Sequence, residues 1–175
     1  LVIKGNLIGN AGDKFDFKAA VFRRFGGESY LVSENSFPIT LIASPLSLSI
    51  LANGDPNYVA RAGDTLNYAV SYVNGTDIPL RDVIIRSQLV GEMFDTSALQ
   101  LQAAPGGGQG FFRQSDNMII WNSQNTPNLA LLAPGSAGIV TFSVKTKNNY
   151  PIRRFSDKNF ILYINSEIES PTAPI

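Results

Sequence analysis

Histidine and cysteine are both absent from this chain of 175 residues. Without cysteine there are no disulfides, thiolate metal ligands or thiol nucleophiles, and without histidine the commonest general base and zinc ligand is missing. Charge is sparse as well: 16% of the residues are Asp, Glu, Lys or Arg, where an ordinary globular domain carries roughly 25%. Lys plus Arg equals Asp plus Glu at 14 each, and the charges are scattered, so neither a basic stripe for nucleic acid nor a polybasic membrane patch forms. No apolar run reaches the length of about 18 residues that a membrane-spanning helix needs. Nor does any stretch sustain a 3.6-residue apolar period with caps, so helices are expected to be few or none. These absences weigh against an enzyme and leave a binding or structural module, with no cofactor, no nucleic acid and no membrane insertion in this segment.

What is present is a hydrophobic content of 44%, enough for a packed core, laid out mostly in alternation. In Thr65 to Tyr72 the residues Leu66, Tyr68, Val70 and Tyr72 fall on one side and Thr65, Asn67, Ala69 and Ser71 on the other, the period of a half-buried strand. Gly63-Asp64 precedes it as a turn, and Asn74-Gly75, residues that tolerate positive φ, follows as the expected reversal. The same alternation marks Phe15 to Val21, ended by Gly26-Gly27, and Leu46 to Ile50, Asp82 to Leu89, Val140 to Val144 and Phe160 to Ile168. Tyr30 to Val32 and Phe37 to Ile42 read as two strands or one interrupted at Pro38, which cannot donate to a central ladder. Met118 to Trp121 is a short apolar strand, Met93 to Leu101 a less regular segment, and Ala104 to Gly110 a glycine loop. Many short strands between turn signals predict an all-β antiparallel sandwich or barrel.

Self-similarity runs through the chain. Arg23-Arg24-Phe25 recurs as Arg153-Arg154-Phe155, Asn35-Ser36 as Asn165-Ser166, and Ile42-Ala43-Ser44-Pro45 resembles Ile168-Glu169-Ser170-Pro171. A tandem repeat follows: residues 1–44 as the closing strands of a preceding unit, 45–171 as one complete unit, and 172–175 as the start of the next or a tail. The chain opens at Leu1 with neither an initiator Met nor a signal-peptide pattern, which reads as a processed piece of something longer. Low charge with abundant Ser, Thr, Asn and Gly leans towards an extracellular β protein.

Residues 45–171 resemble the conserved-repeat immunoglobulin-like modules of bacterial and archaeal cell-surface proteins. The resemblance rests on Ala62 to Tyr68 followed by Tyr72 to Gly75, on Ile119-Ile120-Trp121, on Leu132 to Ser136 leading into Val140 to Val144, and on Asn165 with Ile168. It implies an antiparallel immunoglobulin-like β-sandwich, repeated in tandem on secreted or wall-attached proteins as spacer, stalk or adhesive surface. Its partners would be neighbouring repeats of the same protein and a host or cell-wall glycan or protein. Surface families of this kind often join a Lys in the first strand to an Asn or Asp in the last by an isopeptide bond. Leu46 to Leu51 holds no Lys, so no such crosslink to Asn165 is expected.

Chemistry-bearing candidates are few. Trp121, the lone tryptophan, reads as core packing ahead of a sugar-stacking platform. Phe111 and Phe112 beside the glycine loop, and Tyr150, are the candidate contact surface, with rings tucked back onto the sandwich as the competing reading. The loop at Gly106 to Gly110 lacks the Lys-Ser/Thr of a phosphate cradle and reads as a linker or mobile tip. Asp55, Asp64, Asp77, Asn53, Asn57 and Asn74 could offer oxygen ligands to Ca²⁺, yet turn chemistry accounts for them equally, and no metal is expected. Asn74-Gly75-Thr76 matches a glycosylation acceptor but reads first as a tight turn. Glu92, Glu167 and Glu169 form no recognisable catalytic pair. The expected role is therefore a structural spacer or stalk module, the alternative an adhesin or carbohydrate-binding domain, and a weaker third an accessory domain of a secreted hydrolase.

Overall fold

The computed structural model describes residues 9, 12–41, 44–149 and 160–173, and the chain forms two compact units, Leu1–Ser44 and Pro45–Ile175. The strands of both pair antiparallel, and the one helix among the described residues is a single 3-10 turn at Pro127–Leu129. The expected all-β fold with few or no helices is what the chain adopts.

The first unit is a hairpin of β1 (Lys14–Phe25) and β2 (Glu28–Thr40). Gly26 and Gly27 hold φ of 62° and 85°, the two positive angles of a type I′ turn, whose twist matches that of the flanking strands. Pro38 does not interrupt β2, because both strands of a two-stranded ribbon are edges and its missing donor can face outwards. The register sets Phe15 opposite Ile39 and Phe17 opposite Phe37, so these four share one face, with Val21 and Phe25 on the same side of β1. The other face carries Lys14, Asp16, Lys18, Glu34 and Ser36, with Lys18 Nζ 3.8 Å from Glu34.

In the second unit the strands run β3 (Leu46–Ala52), β4 (Thr65–Asn74), β5 (Leu80–Arg81), β6 (Ile84–Val90), β7 (Phe94–Leu101), β8 (Phe111–Arg113), β9 (Met118–Trp121), β10 (Leu131–Leu132), β11 (Ala137–Thr146) and β12 (Tyr163–Glu169). One four-stranded sheet has the order β3-β4-β11-β7 and the other β12-β6-β9-β8, while β5 and β10 pair separately. The inner faces of the two large sheets contribute to one hydrophobic cluster, as in a β-sandwich. Leu66, Tyr68, Val70 and Tyr72 of β4 are 2, 8, 0 and 4% exposed, as their alternation requires. Phe142 stacks on Tyr68 with ring centroids 4.9 Å apart, Trp121 lies 6.1 Å from Phe142, and Phe94 meets Tyr68 edge-on at 6.4 Å. Leu162, Ile164 and Ile168 pack half-buried against the same cluster.

Three expectations change in detail. The strand expected at Asp82 begins at Ile84, because Asp82 has φ +49° and the N–H groups of Asp82 and Val83 donate to Ala130 O (3.2 Å) and Leu129 O (2.9 Å). Met93 to Leu101 contains a full strand, β7, whose side chains depart from strict alternation where its pairing with β11 shifts register between Ser143 and Lys145. Neither Asn74 nor Gly75 has positive φ, and β4 pairs with β3 and β11 instead of folding back on the next strand. Thr172, where a further unit or a tail is expected to start, accepts the Arg81 N–H at 2.8 Å.

Asn74 acts through its side chain. It is fully buried; Nδ2 donates to Ile78 O (2.9 Å), Leu132 O (3.0 Å) and Ala133 O (3.1 Å), and Oδ1 accepts from Thr76 N–H (3.0 Å) and Oγ1 (2.7 Å). One amide thus joins the end of β4, the segment after it and the turn before β11. An amide nitrogen used in this way is closed to glycosylation in the folded protein.

A tandem repeat is not shown. β1 pairs with β2, whereas β11 and β12 belong to different sheets. Asn35 shares the aromatic face of the hairpin, but Asn165 points outwards from β12 and Ser166 inwards. Arg153-Arg154-Phe155 lies outside the described residues.

Candidate functional site

The outer face of the β12-β6-β9-β8 sheet gathers the side chains best placed for contact. In β6, Ile85, Ser87 and Leu89 point into the core, leaving Ile84, Arg86, Gln88 and Val90 on the outside. Residues directly opposite one another share a face, so the register builds two rows across the sheet: Glu167, Arg86, Ile120 and Phe111, then Asn165, Gln88, Met118 and Arg113. Arg86 bridges two residues of β12, with Nη1 3.1 Å from Glu167 Oε1 and Nη2 2.7 Å from Glu169 Oε1. The hydrogen bond from Arg86 holds the Glu169 carboxyl below its ordinary pKa, and the same bond raises that of Arg86. Arg113 and Asp116 form a second pair at 2.6 Å, their hydrogen bond raising the arginine and lowering the aspartate. Between the rows lies an open hollow of ≈ 370 Å³, lined by Arg86, Gln88, Met118, Asn165, Ser166 and Glu167.

Phe111 and Phe112 do not form the pair the sequence suggests. They lie on a strand, β8, so the period of two sends Phe112 half-buried against the core and leaves Phe111 59% exposed beside Ile120 and Arg86. Tyr150 lies outside the described residues. The polar face around Arg86 went unread because charged and amide side chains alternate with core residues there without marking a site; the Arg86, Gln88, Asn165 and Glu167 alternation is the signal that could have found it.

Chemically the face offers contact and hydrogen bonding. Glu167 and Glu169 are both held by one guanidinium, and the lowered pKa of Glu169 makes it a poor general acid near neutrality. Behind them Ser87 Oγ and Ser166 Oγ pair with each other at 2.6 Å, two hydroxyls with no base in the pair. Of the six Asx residues weighed as calcium ligands, two cap their own turns: Asp55 Oδ1 accepts Asn57 N–H (2.8 Å), and Asp64 Oδ2 accepts Arg61 N–H (2.7 Å). Among the described residues no three acidic side chains gather at one point.

The glycine loop forms a turn. Gly106, Gly107 and Gly108 have φ of 85°, 92° and 89°, and the Ala104 N–H donates to Gly108 O at 2.8 Å. Gly110 then lies over the indole of Trp121, where a β-carbon would stand 2.5 Å from Nε1. Trp121 itself is fully buried, and its Nε1 has no hydrogen-bond partner among the described residues. It is core, as its apolar strand suggests.

Residues 45–170 match a family described as Domain of unknown function (DUF7619). The chain belongs to the DUF7619 family. No curated protein matches it in sequence. Solved structures that resemble this DUF7619 chain include the GH20 exo-β-N-acetylglucosaminidase from Vibrio harveyi, at 12% identity and TM-score 0.37 over 73% of this chain and 17% of that one. AvmM, a protein described as catalysing macrocyclization in alchivemycin A biosynthesis, resembles it at 11% identity and TM-score 0.38 over 89% and 99% of the two chains. The yeast delta-COP-I mu-homology domain does so at 13% identity and TM-score 0.31 over 81% and 49%. The chain spans 17% of the length of the first of these, and at scores this low none carries an argument about the DUF7619 domain's role.

Proposed function

We propose that the chain is a non-catalytic structural module, a spacer or stalk unit of an extracellular surface protein or surface assembly. The observation that carries this reading is how the interior polar groups are used. Asn74, Ser87, Thr126, Ser143 and Thr146 are the buried polar residues among those described; the side chains of all but Thr126, which bonds its neighbour Asn125, are hydrogen-bonded to a distant part of the second unit. They hold strands and turns together. An immunoglobulin-like arrangement is supported by the order β3-β4-β11-β7, in which the first two strands pair and a late strand joins them to a middle one. The aromatic face that the hairpin's own two strands leave open supports contact with a neighbouring unit of the same protein, since a two-stranded ribbon is marginal in water without a second layer. Antibodies against residues 45–171 test the surface role: they should label intact producing cells, and labelling confined to permeabilised cells would refute it.

A second reading, an adhesin or carbohydrate-binding domain, is favoured by the ring of Phe111 standing beside the amide and guanidinium groups of the outer face. On a glycan array it requires specific binding that Phe111→Ala abolishes.

A further inference from the structure

The sequence contains two Asn-Gly dipeptides, Asn53-Gly54 and Asn74-Gly75, and the fold puts them in opposite chemical situations. Asn53 and Gly54 hold φ of 49° and 83° at the tip of a turn closed by reciprocal bonds between Ala52 and Asp55 (3.0 and 2.9 Å). Both residues are exposed, and a β-carbon on Gly54 would meet nothing within 4 Å. The Asn53 side chain stands in for a backbone carbonyl at the start of β4: its Oδ1 accepts Asn67 N–H and Nδ2–H, each at 2.9 Å, while its Nδ2 donates one longer bond, 3.2 Å, to Thr65 O.

We propose that Asn53 is a site of spontaneous deamidation in the folded protein and that Asn74 is not. The Gly54 amide nitrogen attacks Asn53 Cγ, forming a new C–N bond and a tetrahedral oxyanion at Oδ1. The Gly54 N–H proton passes through solvent to the departing Nδ2, which leaves as ammonia and closes a five-membered succinimide. Water then adds to either ring carbonyl and gives aspartate or isoaspartate. The sum is asparagine plus water to acid plus ammonia, with no change of oxidation state. The two donors from Asn67 aim at the atom where negative charge develops, the arrangement that stabilises such an intermediate, and the attack is intramolecular. The leaving nitrogen is reachable by solvent.

Asn74 has two donors on Oδ1 as well, but the other requirements fail. Its Nδ2 is buried and held by three carbonyls, and the attacking group, the Gly75 N–H, is committed to Pro45 O at 2.9 Å. At Asn53 the aspartate product loses the donor to Thr65 O. The isoaspartate product takes the side-chain carbon into the main chain and lengthens a two-residue turn, freeing the start of β4 from the end of β3.

The test is peptide mapping of the intact chain aged in mildly alkaline buffer, with a urea-unfolded sample beside it. Conversion at Asn53 at least an order of magnitude faster than at Asn74 in the folded sample, and comparable rates at the two sites in urea, is the expected result. Equal rates in the folded chain, a faster Asn74, or an Asn53 slowed by folding as much as Asn74 would each overturn the assignment.

Discussion

Phe17 and Phe37 face each other across β1 and β2 just as Tyr68 and Phe142 do across β4 and β11. The first two are 48 and 67% exposed, the second two 8 and 1%. Alternation and cross-strand pairing are the same in both regions; what differs is a second sheet on top. Pairing fixes which residues share a face, and burial depends on whether another layer covers that face. The sandwich supplies its own layer, whereas the hairpin presents an apolar face that its own two strands leave open.

The largest break in this comparison should come from truncating one ring in each region. Phe142→Ala removes the centre of the Trp121, Phe142 and Tyr68 stack and is expected to cost about 4 kcal/mol. Phe37→Ala should cost less than about 1 kcal/mol, the scale of a cross-strand pair. Urea melts followed by circular dichroism would show both, and equal losses would mean that the hairpin ring is as deeply packed as the core.

Asn74→Ala should follow at about 3 kcal/mol, since it strips the shared donor from carbonyls inside and at the rim of the sandwich. Asn74→Asp should be at least as damaging, because a carboxylate would face three carbonyl oxygens. A variant as stable as the parent would show that the clamp is dispensable.

Raising the pH probes the core alone. Burial pushes the Tyr68 phenol up from 10.0 to about 12, so the folded state disfavours its ionised form. The stability linked to this group is complete below pH 10 and is lost as the pH climbs towards 12, by about 2 kcal/mol. Tyr68→Phe should flatten that part of the stability profile.

The smallest effect belongs to the outer face. Arg86→Ala breaks both bridges to β12, but Glu167 and Glu169 are 65 and 56% exposed, and the loss should stay below about 1 kcal/mol and shrink further in salt.

Legibility in the sequence followed locality. β4 and β12 were readable because each announces its faces through its own period of two, and β9 because it is a short apolar run. β7 was hidden by its register shift, a property of how it pairs with β11. Asn74 was misread because an Asn-Gly pair signals a turn, while two of its partners, Leu132 and Ala133, lie 58 and 59 residues away. The opposite facing of Phe111 and Phe112, read as one candidate contact surface beside the glycine loop, was not legible because nothing in three residues betrays a strand at a sheet edge. The Arg86 face needed the pairing of β6 with β12, residues some 80 apart in the chain.

The placement of Trp121 makes the protein its own spectroscopic probe. A single indole sealed beneath Gly110, with no hydrogen bond to its nitrogen among the described residues, should emit at the blue limit of the tryptophan range. Because the hairpin carries no second fluorophore of that kind, a red shift reports the opening of the sandwich, and events confined to the first forty-four residues pass unseen.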